Sequence, residues 1–211
     1  MFKRVTESNQ CEFFSSIDDA RTYAEKAKKS MMRYKAFLAN LRSLDIKGRY
    51  REIGAGPGVL TVEIARNYPE VEITALELLP DMVTVGRKHV AENKLENRIT
   101  YVIGDVEDER SYHSLGEFDL VYSTYSLHHW ANTDKAVANL YRAVKKGGML
   151  YIYDLRRVWW LYWIPIKNGF FNSIRASYVH NEIKLLLREL GIDNTEIKNE
   201  FPFMHSIFIK K

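Results

Sequence analysis

The chain has 211 residues, 46% of them apolar and 27% charged, the balance of a soluble globular protein with length for one domain and an appendage. One cysteine, Cys11, excludes an internal disulfide and a cysteine-rich zinc site and points to a reducing, cytoplasmic setting; the first ten residues, MFKRVTESNQ, do not read as a secretory signal. The longest apolar run, Val158–Ile166, is about half of the roughly 18 residues that a membrane span needs, and the net charge of +4 sits in residues 1–50, at net +5, so the rest is close to neutral.

Ser16 followed by Asp19 has the form of a capping box. Beyond it, Ala20, Tyr23, Ala24, Ala27, Met31, Tyr34, Leu38 and Leu41 recur at three- and four-residue steps, which predicts a long helix or a broken pair ending near Leu44. Lys26, Lys28, Lys29, Arg33 and Lys35 lie mostly off that stripe: a solvated face, or an attraction for an anionic substrate, a nucleic acid or a membrane. The stretch RYREIGAGPGVLT then predicts a strand over Tyr50–Ile53, a glycine turn at Gly54, Gly56 and Gly58, and a helix from Val59. A dinucleotide fold would place a third glycine at position 59, where this chain has valine.

A second strand over Glu70–Leu78 ends on Glu77, 23 residues after Gly54, and at that sheet edge its carboxylate can accept both hydroxyls of a ribose. Pro80–Asn93 predicts a helix, Ile99–Ile103 a third strand ending in Gly104-Asp105-Val106, and Phe118–Tyr122 a fourth, with the loop Ser123–Trp130 beyond it. A helix over Asn132–Val144 is expected to stop in Lys145-Lys146-Gly147-Gly148 before a fifth strand, Met149–Asp154. Past an aromatic stretch come a helix near Asn181–Leu190 and two strands, Thr195–Glu200 and His205–Lys210, joined around Pro202 as an antiparallel hairpin. Alternating strands and helices imply an α/β, doubly wound, mainly parallel sheet. The expected division is a helical lead-in or lid over 1–47 and a main domain over 48–211.

Five features in this order, EIGAGPG, Glu77, GDVED, FDLVYSTYSLHHW and YRAVKKGGMLYIYD, resemble the class I S-adenosylmethionine (SAM) methyltransferases over about Tyr50–Lys211. The resemblance implies a seven-stranded sheet whose last strand is antiparallel, and SAM as cofactor with S-adenosylhomocysteine as product. It implies that Glu52, Gly54, Ala55 and Gly56 border the amino-acid part of the cofactor, Glu77 the ribose, and Asp105 with Val106 the adenine. Leu78 and Met82 would be apolar walls, and Ser123 would lie beside the cofactor near the substrate entrance.

A sulfonium methyl is already electrophilic, so a general base is needed only where the acceptor arrives protonated. Ser123-Thr124-Tyr125-Ser126 stands where amide- and amine-directed enzymes carry Asn-Pro-Pro-Tyr or Asp-Pro-Pro-Tyr, and LHHW is similar to the loop of small-molecule methyltransferases. His128 is the candidate base or substrate contact, or else a hydrogen-bonded structural histidine; Tyr125, Tyr34 and Trp159 are further substrate candidates, and Tyr23, Arg33 and Tyr34 on the lead-in would close the side of the pocket opposite the aromatic stretch. Arg156–Phe171 holds three of the four tryptophans and reads as a lid, core packing, a homodimer interface or, last, a peripheral membrane contact. The expected function is methyl transfer from SAM to a small, partly apolar or aromatic acceptor, with no nucleic acid partner and no metal. The alternatives are a protein or nucleic-acid methyltransferase using the basic lead-in, or a SAM-binding regulator without turnover.

Overall fold

The computed structural model describes residues 4–5, 16–113, 115–163 and 169–211. The lead-in is the broken pair. Helix α1 (Ile17–Lys29) starts where Asp19 N–H donates to Ser16 Oγ at 3.2 Å; one 3-10 turn, Met31–Tyr34, then redirects the chain into α2 (Lys35–Leu44). The break lets Tyr34, Phe37 and Leu41 enter the same core as the sheet, so the lead-in packs as part of the domain. Phe37 lies at the centre, stacked on Tyr151 at 4.9 Å, which stacks on Phe208 at 4.5 Å.

Five parallel strands follow: β1 (Arg49–Ile53), β2 (Glu72–Glu77), β3 (Ile99–Ile103), β4 (Phe118–Thr124) and β5 (Val144–Leu155). With the hairpin β6 (Thr195–Glu200) and β7 (Met204–Lys210) they make one seven-stranded sheet in the order β3-β2-β1-β4-β5-β7-β6, with β7 antiparallel to both neighbours. Side chains alternate between faces, as the pleat requires. Tyr50, Tyr122 and Tyr151 join α3 (Val59–Asn67) and α4 (Pro80–Glu92) on one face. Ile53, Val121, Leu150 and Ile152 join α6 (Thr133–Ala143) and α8 (His180–Glu189) on the other. This is the fold the sequence implies, completed by a short α5 (Arg110–His113) and α7 (Gly169–Ala176).

One boundary differs. Lys145–Gly148 does not end a helix: α6 stops at Ala143 and β5 already begins at Val144, so the basic, glycine-containing run is strand. The register shifts between Phe118 and Leu120 of β4, and the backbone at Gly148 presses so close that a Cβ there would lie 2.7 Å from the Asp119 carbonyl oxygen. Lys145 closes the same contact by pairing with Asp119 at 2.9 Å.

The aromatic stretch divides between environments. Val158 and Leu161 are buried, whereas Trp159 and Trp163 are 67% and 75% exposed. Residues 164–168 of that stretch, and Cys11, lie outside the described residues. Among those described, no helix is long and apolar enough to cross a membrane and no cluster of metal-binding side chains occurs.

Candidate active site

The strand order reverses direction between β1 and β4, and loops leaving that switch point must part. A cavity of about 1430 Å³ opens there, at the carboxyl ends of the strands. Its first wall is the turn after β1. Gly54 has φ +69°, and a Cβ on it would lie 2.1 Å from Ser126 Oγ; Gly56 has φ +54°, and a Cβ there would meet no protein atom and would project into the space a ligand would need. Gly56 N–H donates to Glu77 Oε2 at 2.8 Å and Leu79 N–H to Oε1 at 3.0 Å, so the β2 carboxylate is clamped across the turn with lone pairs to spare on both oxygens. Burial pushes the Glu77 carboxyl up, and those two N–H donors work against it.

Beneath the turn, Glu52 is 2% exposed and accepts the Tyr122 hydroxyl at 3.0 Å. Burial pushes its carboxyl up to about 7. A cation seated against Glu52 would draw that proton off, the property wanted beside a ligand carrying an ammonium or sulfonium group. The sign for stability follows. The folded state holds the proton more tightly than the unfolded chain, so the stabilisation is present below the ordinary carboxylate range and is lost as pH rises through about 7. Relative to Glu52→Gln, the wild-type apoprotein is expected to lose on the order of 3 kcal/mol between pH 4 and pH 8, read as diverging melting temperatures in a pH series; parallel curves would show that Glu52 is ionised throughout.

At the next strand end, Asp105 Oδ1 accepts Glu107 N–H at 2.8 Å, bending the Gly104–Glu107 turn so that Asp105 and Val106 line the cavity. Leu78 and Met82 line it too, Leu78 half-exposed and Met82 buried. Ser123 does not. It is fully buried inside β4 and its hydroxyl donates to the Ile53 carbonyl at 3.2 Å, because the strand runs two residues further, to Thr124, and hands the rim to Thr124 and Tyr125. Tyr125 takes φ +55°, a left-handed conformation costing a non-glycine residue about 1–2 kcal/mol, and is held there by its N–H on the Tyr153 carbonyl at 2.9 Å. Its ring meets Tyr34 edge-on at 5.6 Å, so Tyr125 and Tyr34 form one wall together, whereas Trp159 is exposed and does not line the cavity.

His128 also lines the cavity. Its Nδ1 lies 2.8 and 3.0 Å from the two oxygens of Asp154, which also accepts the His128 backbone N–H at 2.9 Å. His128 is 3% and Asp154 0% exposed. Burial alone would raise the Asp154 carboxyl, but the facing His128 ring, His205 beside it and the Leu155 N–H hold it below the usual range. The ring is thus oriented by a buried carboxylate on Nδ1, leaving Nε2 for the cavity, the geometry of a histidine base. Sequence reasoning placed Asp154 only at the end of the fifth strand and missed the pair. The signal was topological: β5 neighbours β4, and Asp154 follows Tyr153, the partner of Thr124. Glu107 was missed as well; it accepts N–H groups of Ala131 and Asn132 at 2.7 and 3.0 Å and so ties the Asp105 turn to the start of α6.

A glycine cradle, a clamped carboxylate at the second strand end and a cavity at the switch point define a nucleotide-type site on a class I methyltransferase fold. Comparison with known proteins agrees. Residues 51–152, just under half of the chain, match the profile of a family described as "Methyltransferase domain". The chain is 28% identical over 137 residues to the malonyl-[acyl-carrier protein] O-methyltransferase of Priestia megaterium, covering 64% of this chain and 42% of that protein. It is 32% identical over 130 residues to the demethylmenaquinone methyltransferase of Porphyromonas gingivalis, covering 61% and 50%. The chain thus spans about half the length of the curated relatives it matches. Human N-acetylserotonin methyltransferase, solved with SAM, shares the fold at a TM-score of 0.73 and 17% identity, covering 98% of this chain and 60% of that one.

Proposed function

We propose that this protein transfers a methyl group from SAM to a small acceptor that is partly apolar or aromatic. The observation that carries the reading is one continuous cavity that joins the Gly56–Glu77 clamp to the buried His128–Asp154 pair. When bound, SAM supplies a methyl carbon already activated by its sulfonium. The chain's own residues do the rest. Gly54, Ala55 and Gly56 let the backbone approach the amino-acid part, and Glu52 beneath them offers a buried carboxylate to its positive charges. Glu77 holds the ribose hydroxyls, and Asp105 with Val106 meets the adenine, between Leu78 and Met82. His128 Nε2 takes the acceptor's proton when the methylated group arrives protonated, and Asp154 keeps the ring oriented.

Met32, Phe170, Phe203 and Met204 line the other end of the cavity and suit an apolar or aromatic body. Phe170 and the Met31–Tyr34 turn act as the lid, the role expected of the lead-in and the aromatic stretch. The test is calorimetric titration with SAM, S-adenosylhomocysteine and NADH. Binding of both sulfur ligands without NADH is expected. Binding of NADH alone, or of nothing, overturns the reading; tight SAM binding with no methyl transfer to any member of a broad acceptor panel replaces the enzyme by a SAM-binding regulator.

A further inference from the structure

His205 is a histidine in a place that suits valine or isoleucine. It lies on β7 as the ladder partner of Asp154 on β5, so both side chains leave the sheet on one face, with Cβ atoms about 4.5–5.5 Å apart. The ring is 0% exposed, and neither of its nitrogens has a hydrogen-bond partner among the described residues. It lies nearly parallel to the ring of His180, the first residue of α8, with centres 5.8 Å apart and 12° between the planes. Asn199, its ladder neighbour on β6, bonds to neither nitrogen. The titratable and charged groups that face it are Asp154 and Arg156 of β5 and His180 of α8. Burial pushes His205 down to about 4, against the pull of the Asp154 charge, so at neutral pH it is an uncharged imidazole with one N–H unspent. An unspent buried donor costs free energy that an apolar residue there would avoid, and departures of that kind gather at functional sites. The partner across the ladder also has capacity left. Asp154 accepts from His128 Nδ1 and from the His128 backbone N–H, whereas two carboxylate oxygens offer about four acceptor sites. A buried carboxylate facing His128 without opposition would hold the protonated ring tightly, and a base that keeps its proton is idle. An imidazole N–H beside Asp154 offsets part of that hold.

We infer that His205 is a positioning residue of the histidine base: it faces Asp154 across the ladder and moderates the carboxylate's hold on a proton taken up by His128. The inference rests on the base role proposed for His128 above. His128 itself is faced by Asp154 and by the ring of His129, 3.7 Å away between centres, and neither changes when His205 is replaced.

The chain has six histidines, and NMR titration of protein labelled with ¹⁵N-histidine follows their rings, with His128→Gln assigning the His128 signal. His205→Phe keeps a flat ring against His180 and removes both nitrogens; His205→Gln keeps an N–H. The His128 midpoint is expected to rise by about half a pH unit or more in the phenylalanine variant and to stay near wild type in the glutamine variant. With an acceptor that arrives protonated, the acid limb of kcat moves the same way while KM for SAM holds. An unmoved or lowered midpoint in His205→Phe overturns the inference. So does an equal shift in both variants, which marks His205 as core packing. Where His205→Phe does not fold, His205→Leu gives the same reading. Cofactor binding and methyl transfer do not enter the titration. A protein that transfers no methyl group therefore fails the function proposed above, and the midpoints still decide whether His205 acts on His128.

Discussion

Replacing Glu77 with alanine is expected to weaken S-adenosylhomocysteine binding at least about a hundredfold. The side chain has two jobs at once. Its oxygens already hold the N–H groups of Gly56 and Leu79, and their remaining lone pairs face the cavity for the ribose hydroxyls. Hydrogen bonds to a charged partner contribute about 1.5–3 kcal/mol each, so two of them account for roughly a hundredfold or more in affinity. Alanine also frees the Gly56 turn to move, which adds to the loss. Glu77→Gln separates the effects, since its amide oxygen can still accept one N–H while its NH₂ group cannot accept a hydroxyl. The glutamine variant should melt close to wild type yet bind weakly. Titration of all three proteins with S-adenosylhomocysteine decides it; wild-type affinity in the alanine variant would remove Glu77 from the cofactor site.

That much of the site was legible because it is local. Gly54, Gly56 and Glu77 stand at positions that backbone conformation and strand length dictate, so spacing alone brings them together. Most of the strands were legible for a similar reason, as short runs with apolar residues between turn signals, though β6, TEIKNE, has a single apolar residue. What was illegible depends on contacts across the sheet. Lys145–Gly148 carries every local signal of a helix stop, yet it lies in β5 because a shifted β4 draws it into the ladder. Ser123 was expected at the rim, but β4 extends to Thr124 and keeps it inside. Trp159 was expected at the substrate from its place after the fifth strand, whereas Val158 and Leu161 are the residues of that stretch that are buried. The pair of His128 and Asp154 required knowing that β4 and β5 are neighbours, a fact of topology that neither motif states.

His128 and Asp154 give the second large effect, on turnover. With an acceptor whose methylated group is protonated, His128→Ala is expected to lower kcat by about 10²–10⁴, the usual worth of a positioned base, while leaving the affinity for S-adenosylhomocysteine within about twofold. The separation follows from the contacts, because His128 makes no hydrogen bond to the Gly56–Glu77 clamp and forms part of no proposed cofactor contact. Asp154→Asn tests the positioning role. The carboxylate accepts from His128 Nδ1 and so places the ring's lone pair on Nε2; an asparagine that turns its NH₂ to Nδ1 forces the proton onto Nε2 and disables the base with little change of shape. Asp154→Asn should therefore reproduce most of the His128→Ala loss in kcat without a matching change in KM for SAM. A merely structural histidine predicts the opposite pattern: a lowered melting temperature, and equal losses for acceptors that arrive protonated and those that arrive as free nucleophiles. Single-turnover transfer of a labelled methyl group, run on one acceptor of each kind, separates the two.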